Sequence, residues 1–108
     1  MGLTKSTEFG VKENRLAKYA KALGHPARIA ILQFLAKKNT CMCGDIVEEL
    51  PLSQSTVSQH LKELKGAGLI KGSIDGVKVC YCINEKEWKN VQVLVNQLFD
   101  SYNPGSCC

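Results

Sequence analysis

Apolar residues first recur at helical spacing after Lys12, where Leu16, Tyr19, Ala20 and Leu23 share a face and Gly24 ends the run. Upstream, residues 1–11 read as a polar, glycine-containing arm with Phe9 and Val11 as its anchors. Pro26 opens a second helix, since a first-turn residue needs no N–H. Ile29, Leu32, Phe34 and Leu35 supply its apolar surface, and Lys37-Lys38-Asn39 ends it. Thr40-Cys41-Met42 fits a short extended piece. Gly44 to Leu50 reads as a short helix with Ile46, Val47 and Leu50 inward, broken by Pro51. Ser53 is suited to cap the next helix. There Val57, Leu61 and Leu64 form an inward stripe, leaving Gln54, Ser55, Ser58, Gln59, Lys62 and Lys65 outside, and Gly66 and Gly68 bracket the end.

The pattern then changes period. Leu69 to Ile74 and Val77 to Asn84 flank an Asp75-Gly76 turn signal, which predicts a β-hairpin. On its second strand Val79, Tyr81 and Ile83 share one face, while Cys80 and Cys82 share the other. A last helix is predicted over 85–102. Its Trp88, Val91, Leu94, Val95, Leu98 and Phe99 make an apolar stripe too wide for a terminal helix on a small domain, which points to a partner surface. The predicted fold is mainly α: a winged helix-turn-helix with a C-terminal β-hairpin wing and flanking helices. Residues 1–11 form the arm, 12–102 the folded domain, and 103–108 a loose cysteine-containing tail.

A chain of 108 residues suits one domain whose limited core favours further burial against a partner. The formal net charge of +4 is compatible with a polyanion without requiring one. No run of 18 apolar residues and no leader pattern is present, so a cytoplasmic protein without a membrane partner is expected. The six cysteines fall in three close pairs: Cys41 and Cys43, Cys80 and Cys82, Cys107 and Cys108. In a reducing compartment they argue for metal, redox or packing roles rather than a disulfide scaffold.

The helix that begins SQSTVSQH exposes short hydrogen-bonding groups near its positive end, where phosphate is favoured. Ser and Gln can read base edges or hold phosphates, and Lys62, Lys65, Lys71 and Lys78 supply backbone attraction. The same residues also fit a solvated surface helix. The order of elements raises DNA binding above that.

The stretches LGHPARIAILQFL at 23–35, CMCGDIVEELPLSQSTVSQHLKELKGAGLI at 41–70 and DGVKVCYCIN at 75–84 resemble the arsenic-repressor (ArsR/SmtB) family of small bacterial repressors. The resemblance covers roughly residues 12 to 100. It implies a homodimer built by the first and last helices, with Leu16, Tyr19, Leu23, Trp88, Val91, Val95, Leu98 and Phe99 at the interface. It implies double-stranded operator DNA as partner, with Gln54, Ser55, Thr56, Ser58, Gln59 and His60 at or near it. Thr56 has capping as its alternative role, and His60 has packing beside the Leu61 stripe. His25, before Pro26, reads as a turn or cap residue.

Cys41 and Cys43 sit where an extended piece meets a helix, so a chain bend brings their sulfurs together. A helix N-terminus also favours thiolate. The pair suits a soft ion or an oxidant, and two small buried hydrophobes is the plain alternative. The resemblance implies an arsenic, cadmium or lead site in this region. The third cysteine of the best-known arsenic pattern is replaced by Asp45, Ile46 and Val47, and residues 1–40 hold no cysteine. The zinc site across the last helices needs a histidine that the last helix lacks. Further ligands therefore come from Cys107 and Cys108, or less favourably from Cys80 and Cys82, where sheet packing is preferred. A strand before the third helix that pairs with the second hairpin strand would bring Cys41 toward Cys80 and Cys82.

The leading expectation is a repressor, needing no cofactor to bind DNA. A soft metal or metalloid releases it, As(III) or Sb(III) first, then Cd(II), Pb(II) or Zn(II), through coupling of about 1–3 kcal/mol. The second is a repressor of the same fold that responds to thiol oxidation or polysulfide. A thiol oxidoreductase is disfavoured, because it commonly uses C-x-x-C spacing and a substrate pocket. A winged-helix protein-interaction module is the remaining alternative.

Overall fold

The computed structural model describes residues 8–38, 42–43, 50–75 and 78–106, with backbone alone at 42–43, 73–75, 78–79 and 106. The elements run α1 (Val11–Leu23), α2 (Pro26–Lys38), β1 (Met42–Cys43), α3 (Gln54–Gly66), β2 (Ile70–Asp75), β3 (Lys78–Ile83) and α4 (Glu85–Asp100), then a 3-10 turn at Pro104–Ser106. The short helix expected over 44–50 lies outside the described residues except for Leu50. So do Gly76 of the turn signal and Cys41, Cys107 and Cys108.

Glu13 in the first turn of α1 and Lys21 in its last turn suit the helix dipole. The Gly24 N–H closes the end on the Lys21 carbonyl at 3.2 Å. His25 is a cap, as expected: its Nδ1 accepts the Ala27 N–H at 3.0 Å, and its carbonyl accepts the Arg28 N–H, also at 3.0 Å. On α2 the burial differs from the pattern. Ile29, assigned inward, is 38 % exposed, whereas Ile31, not assigned at all, is fully buried beside Leu32 and Leu35. This helix is apolar on nearly every side, so spacing alone does not choose its inner face.

The core joins Tyr19 and Ala22 of α1, the three buried α2 residues, Val57, Leu61 and Leu64 of α3, and Ala67, Leu69 and Ile70. Each large aliphatic among them stabilises the fold by about 1.5–3 kcal/mol. The turn after α3 needs Gly68, whose φ is +86°. With the backbone in that conformation, the Leu69 N–H reaches the Leu64 carbonyl at 3.1 Å, and Leu69 and Ile70 enter the core. The strand begins at Ile70, one residue later than expected.

The sheet order is β1-β3-β2, antiparallel throughout. Met42 pairs with Tyr81 and Cys43 with Cys80. Ile70 pairs with Ile83, Lys71 with Cys82 and Asp75 with Lys78. Tyr81 and Ile83 pack against the core, in line with their predicted shared face.

Asn84 joins the sheet to α4. Its N–H donates to the Leu69 carbonyl at 3.0 Å, and its Oδ1 accepts the Glu87 N–H at 3.4 Å. Helix α4 ends at Asp100, two residues short of the predicted end, and contains no buried residue. Trp88, Val93, Leu98 and Phe99 are exposed on it, and Tyr102 beyond it. Tyr19, assigned to a partner interface, is instead 3 % exposed in the core of the single chain. Its hydroxyl donates to the Glu87 carboxylate of α4. Burial raises the Tyr19 phenol above its ordinary pKa, and the Glu87 hydrogen bond adds to that.

Candidate nucleic-acid interface

Helix α3 divides cleanly. Val57, His60, Leu61 and Leu64 are buried, and at 100° per residue they fill an arc of about 100°. Gln54, Ser55, Thr56, Ser58, Gln59, Lys62 and Lys65 are exposed. Ser55, Ser58, Gln59 and Lys62 lie at the centre of the outer face, Thr56 at one flank, and Gln54 and Lys65 at the other.

The start of α3 is held by Ser53, the expected cap, whose Oγ accepts the Thr56 N–H at 3.3 Å. The Ser53 hydroxyl also donates to Thr56 Oγ1 at 2.9 Å. Thr56 is therefore a receiver in the cap rather than the cap itself. One turn on, Gln59 Nε2 donates to Glu63 Oε1 at 3.4 Å. The outward side chains are short polar groups, amides, Lys62 and the Glu63 carboxylate that Gln59 holds, with no apolar side chain among those exposed.

His60 departs from the DNA-facing set. It is 8 % exposed, three residues after Val57 and next to Leu61, inside the buried arc. Its Nδ1 accepts from Arg28 Nε at 3.1 Å, and its ring lies 4.4 Å, centre to centre, from His25. Burial holds the His60 pKa below the ordinary histidine value, with the neighbouring His25 and Arg28 adding to this and Glu63 opposing it. The hydrogen bond agrees, because a proton on Nδ1 would set two donors face to face.

Arg28 is the residue that periodicity missed. Besides His60, it donates to the carbonyls of Lys21 at 3.2 Å and Ala22 at 3.4 Å. One guanidinium thus ties the end of α1, the start of α2 and the inner side of α3. An arginine inside an otherwise apolar helix start, HPARIAIL, is the signal that could have found it.

Lys65 stands apart from the rest of the expected DNA-contact set. A Cβ built at Gly72 would lie 3.2 Å from its Nζ, so Lys65 lies over β2. It lines a cleft of about 690 Å³ with Arg15, Lys18 and Lys86, on the side of α1 and α4. Lys71 is exposed on β2. Lys78 opens β3, where only its backbone is described.

The residues assigned to a partner surface separate into groups. Leu23, Trp88, Val91 and Val95 line one cavity of about 290 Å³. Leu16 and Leu98 line another of about 270 Å³. Phe99 is 72 % exposed.

Among the thiols, Cys80 is 4 % exposed and disulfide-bonded. Cys82 is a half-buried thiol. Strand β1 does pair with β3, but the residue it sets opposite Cys80 is Cys43, while Cys41 lies outside the described residues. Among the described residues, no group of three or more His, Cys, Asp or Glu converges as a metal site. Three soft ligands are therefore not assembled there. No helix among the described residues is long and apolar enough to cross a membrane.

Comparison with known proteins agrees with this geometry. Residues 25–71 match the family model of the bacterial regulatory protein, arsR family. An HTH-type transcriptional regulator of Methanocaldococcus jannaschii is 38 % identical over 88 residues, 81 % of this chain and 98 % of that protein. The transcriptional repressor PagR of Bacillus anthracis is 33 % identical over 82 residues, 76 % of this chain and 82 % of that one. Of the solved structures, HlyU from Vibrio cholerae matches with a TM-score of 0.67 at 26 % identity, over 87 % of this chain and 98 % of that one. A full-length similarity on one side and a shared winged fold on the other place the chain in the ArsR/SmtB family of DNA-binding winged-helix transcriptional regulators.

Proposed function

We propose that this protein is a homodimeric transcriptional repressor that grips operator DNA with α3 and the β2–β3 wing and lets go when its thiols receive a signal. The outer face of α3 carries the reading. Ser55, Ser58, Gln59 and Lys62 stand at its centre with Gln54 and Thr56 beside them, all exposed at the first turns of a capped helix. Such side chains hydrogen-bond base edges and phosphates when the helix lies in a major groove. Lys71, and Lys78 on the facing strand, would hold flanking phosphate. His60 supports this surface from beneath, through Arg28. The homodimer is supported by α4, which buries none of its residues within the single chain.

Two signals fit the thiols. In the first, As(III) or Sb(III), or else Cd(II), Pb(II) or Zn(II), is held by Cys41 and Cys43 with Cys107 and Cys108 completing the set. The one-residue spacing of the first pair and the softness of thiolate support it. In the second, thiol oxidation is the signal, and the disulfide at Cys80 favours it.

Selection from a random duplex pool tests the DNA reading. The reduced protein should enrich a near-palindromic sequence. Its affinity should fall on the order of 10³-fold from 50 to 200 mM salt if about six phosphates are neutralised. Lys62→Ala should weaken binding. Enrichment of no sequence at low salt would favour a protein-interaction module instead. Titrating the reduced complex with arsenite, Cd(II) and Zn(II), while counting thiols, separates the signals: release by arsenite with three thiols consumed supports the first. Indifference to all three ions, with release on oxidation, supports the second.

A further inference from the structure

We propose that Cys43 and Cys80 form a reversible cross-strand disulfide that couples the redox state of the surroundings to DNA binding. The inference rests on the operator-binding reading above, and it names the thiol pair of the oxidation signal. Two observations carry it. Cys80 is disulfide-bonded and almost fully buried. The antiparallel register of β1 and β3 sets Cys43 directly opposite it.

Backbone geometry selects this pair. Directly opposed residues of antiparallel strands have Cα atoms about 4.5–5.5 Å apart, inside the range of about 4.4–6.8 Å that a disulfide spans. Cys80 and Cys82 are two positions apart on one strand. Their Cα atoms are about 6.6 Å apart, and their side chains leave the backbone in parallel. That is the edge of the permitted range.

The place of the pair in the fold gives it an output. Strand β1 follows α2 and leads into the residues before Ser53, the cap of α3. Strand β3 is the inner strand of the wing and pairs with β2 on its other side. A bond from β1 to β3 therefore ties the lead-in of the reading helix to the wing. Opening it removes the covalent tie and leaves the two-residue strand pairing between β1 and β3. The wing and α3 must meet the DNA together, so their relative freedom bears on affinity.

The oxidant class is a low-molecular-weight disulfide. One cysteine thiolate attacks a sulfur of RSSR, forming a mixed disulfide and expelling RS⁻. The second thiolate attacks the cysteine sulfur of that mixed disulfide, forming the protein S–S bond and expelling the other RS⁻. The two cysteines lose two protons, which the thiolates take up, and two electrons pass to the small disulfide. A dithiol reverses the sequence.

The test uses the full chain equilibrated with glutathione buffers of increasing oxidised fraction, trapped with iodoacetamide and mapped as unreduced peptides. A linked peptide pair containing Cys43 and Cys80 should accumulate with oxidation and disappear with dithiothreitol. Recovery of Cys80 alkylated at every ratio, or linked to another cysteine, overturns the proposal. In parallel, the duplex selected by reduced protein is titrated with both redox forms. Wild type should show at least a five-fold difference in Kd between them. Cys43→Ser and Cys80→Ser should show none, while holding the reduced affinity within two-fold. An equal redox response in Cys43→Ser overturns the switch and leaves operator binding standing. If neither form of the wild type selects any duplex, the operator reading fails, and with it the coupling, whatever the peptide map shows.

Discussion

Truncating Phe99 to alanine probes the most exposed large apolar side chain of α4. In the single chain it is 72 % exposed, so folding has collected little of its burial energy. A fully buried phenylalanine is worth about 1.5–3 kcal/mol, so covering the exposed part at a partner surface adds at most about 1–2 kcal/mol per copy. A two-fold dimer repeats the loss on both protomers. Phe99→Ala should then weaken association by up to about 2–4 kcal/mol, raising the dimer Kd about 30- to 1,000-fold. Sedimentation equilibrium across a concentration series measures this. The monomer should keep its helical circular dichroism, because Phe99 lies outside the buried core. Operator binding should weaken at low protein concentration and recover at high concentration. An unchanged dimer Kd would refute the reasoning. So would a loss of monomer fold equal to the loss of association, since the residue would then serve the chain and not its partner.

Two glycines at the end of α3 should respond with opposite signs. Gly68→Ala puts a Cβ at φ +86° and should cost about 1–2 kcal/mol, while Gly66→Ala fills open space on a helical residue and should stabilise by about 0.5–1 kcal/mol; urea melts of both variants read the contrast. Arg28→Ala leaves the buried His60 Nδ1 without its donor and should cost about 1–2 kcal/mol, a fall in Tm of about 5–10 °C, and an unchanged Tm would show that the guanidinium links nothing. His60 has a folded pKa below its unfolded value, so its contribution is complete above about pH 6.5 and fades as acid protonates the unfolded chain first. Stability should drop below that pH by no more than about 1.4 kcal/mol per pH unit from this group, and thermal melts of His60→Asn should show a shallower acid slope.

The α3 helix was legible because its pattern is unambiguous: Ser53 caps, Val57, Leu61 and Leu64 repeat at helical spacing, and two glycines stop it. The hairpin was legible for a similar reason, with a turn dipeptide between two extended runs, the second of them alternating. Helix α2 was legible in its bounds but not in its inner face, since Ile29 and Ile31 are equal to any measure of hydropathy, and only the packing of α1 and α3 decides between them. His60 and Lys65 show a second limit. Both are polar residues on a helix with one apolar stripe, and both look outward to a binary pattern. Arg28 draws His60 inward, and the glycine at position 72 makes room for Lys65 over the sheet. Arg28 lies 32 residues from His60, beyond any local window, and Gly72, seven residues from Lys65, lies past the change from helix to strand. Tyr19 belongs with them, because its partner Glu87 is 68 residues distant. The thiols were legible as candidates and not as pairs, since pairing is a property of register.

The division of α3 also bears on how such a protein can change its allegiance. Four positions, Val57, His60, Leu61 and Leu64, hold the helix in place, and the rest of its surface carries no share of the core. Substitutions at Ser55, Ser58, Gln59 or Lys62 thus meet almost no resistance from folding. On the proposed DNA reading, a duplicated copy could drift toward a new target sequence through these sites one at a time, each intermediate remaining a folded protein. The same separation offers an engineer four adjacent positions to randomise when redirecting the helix to a chosen promoter, with the scaffold left untouched.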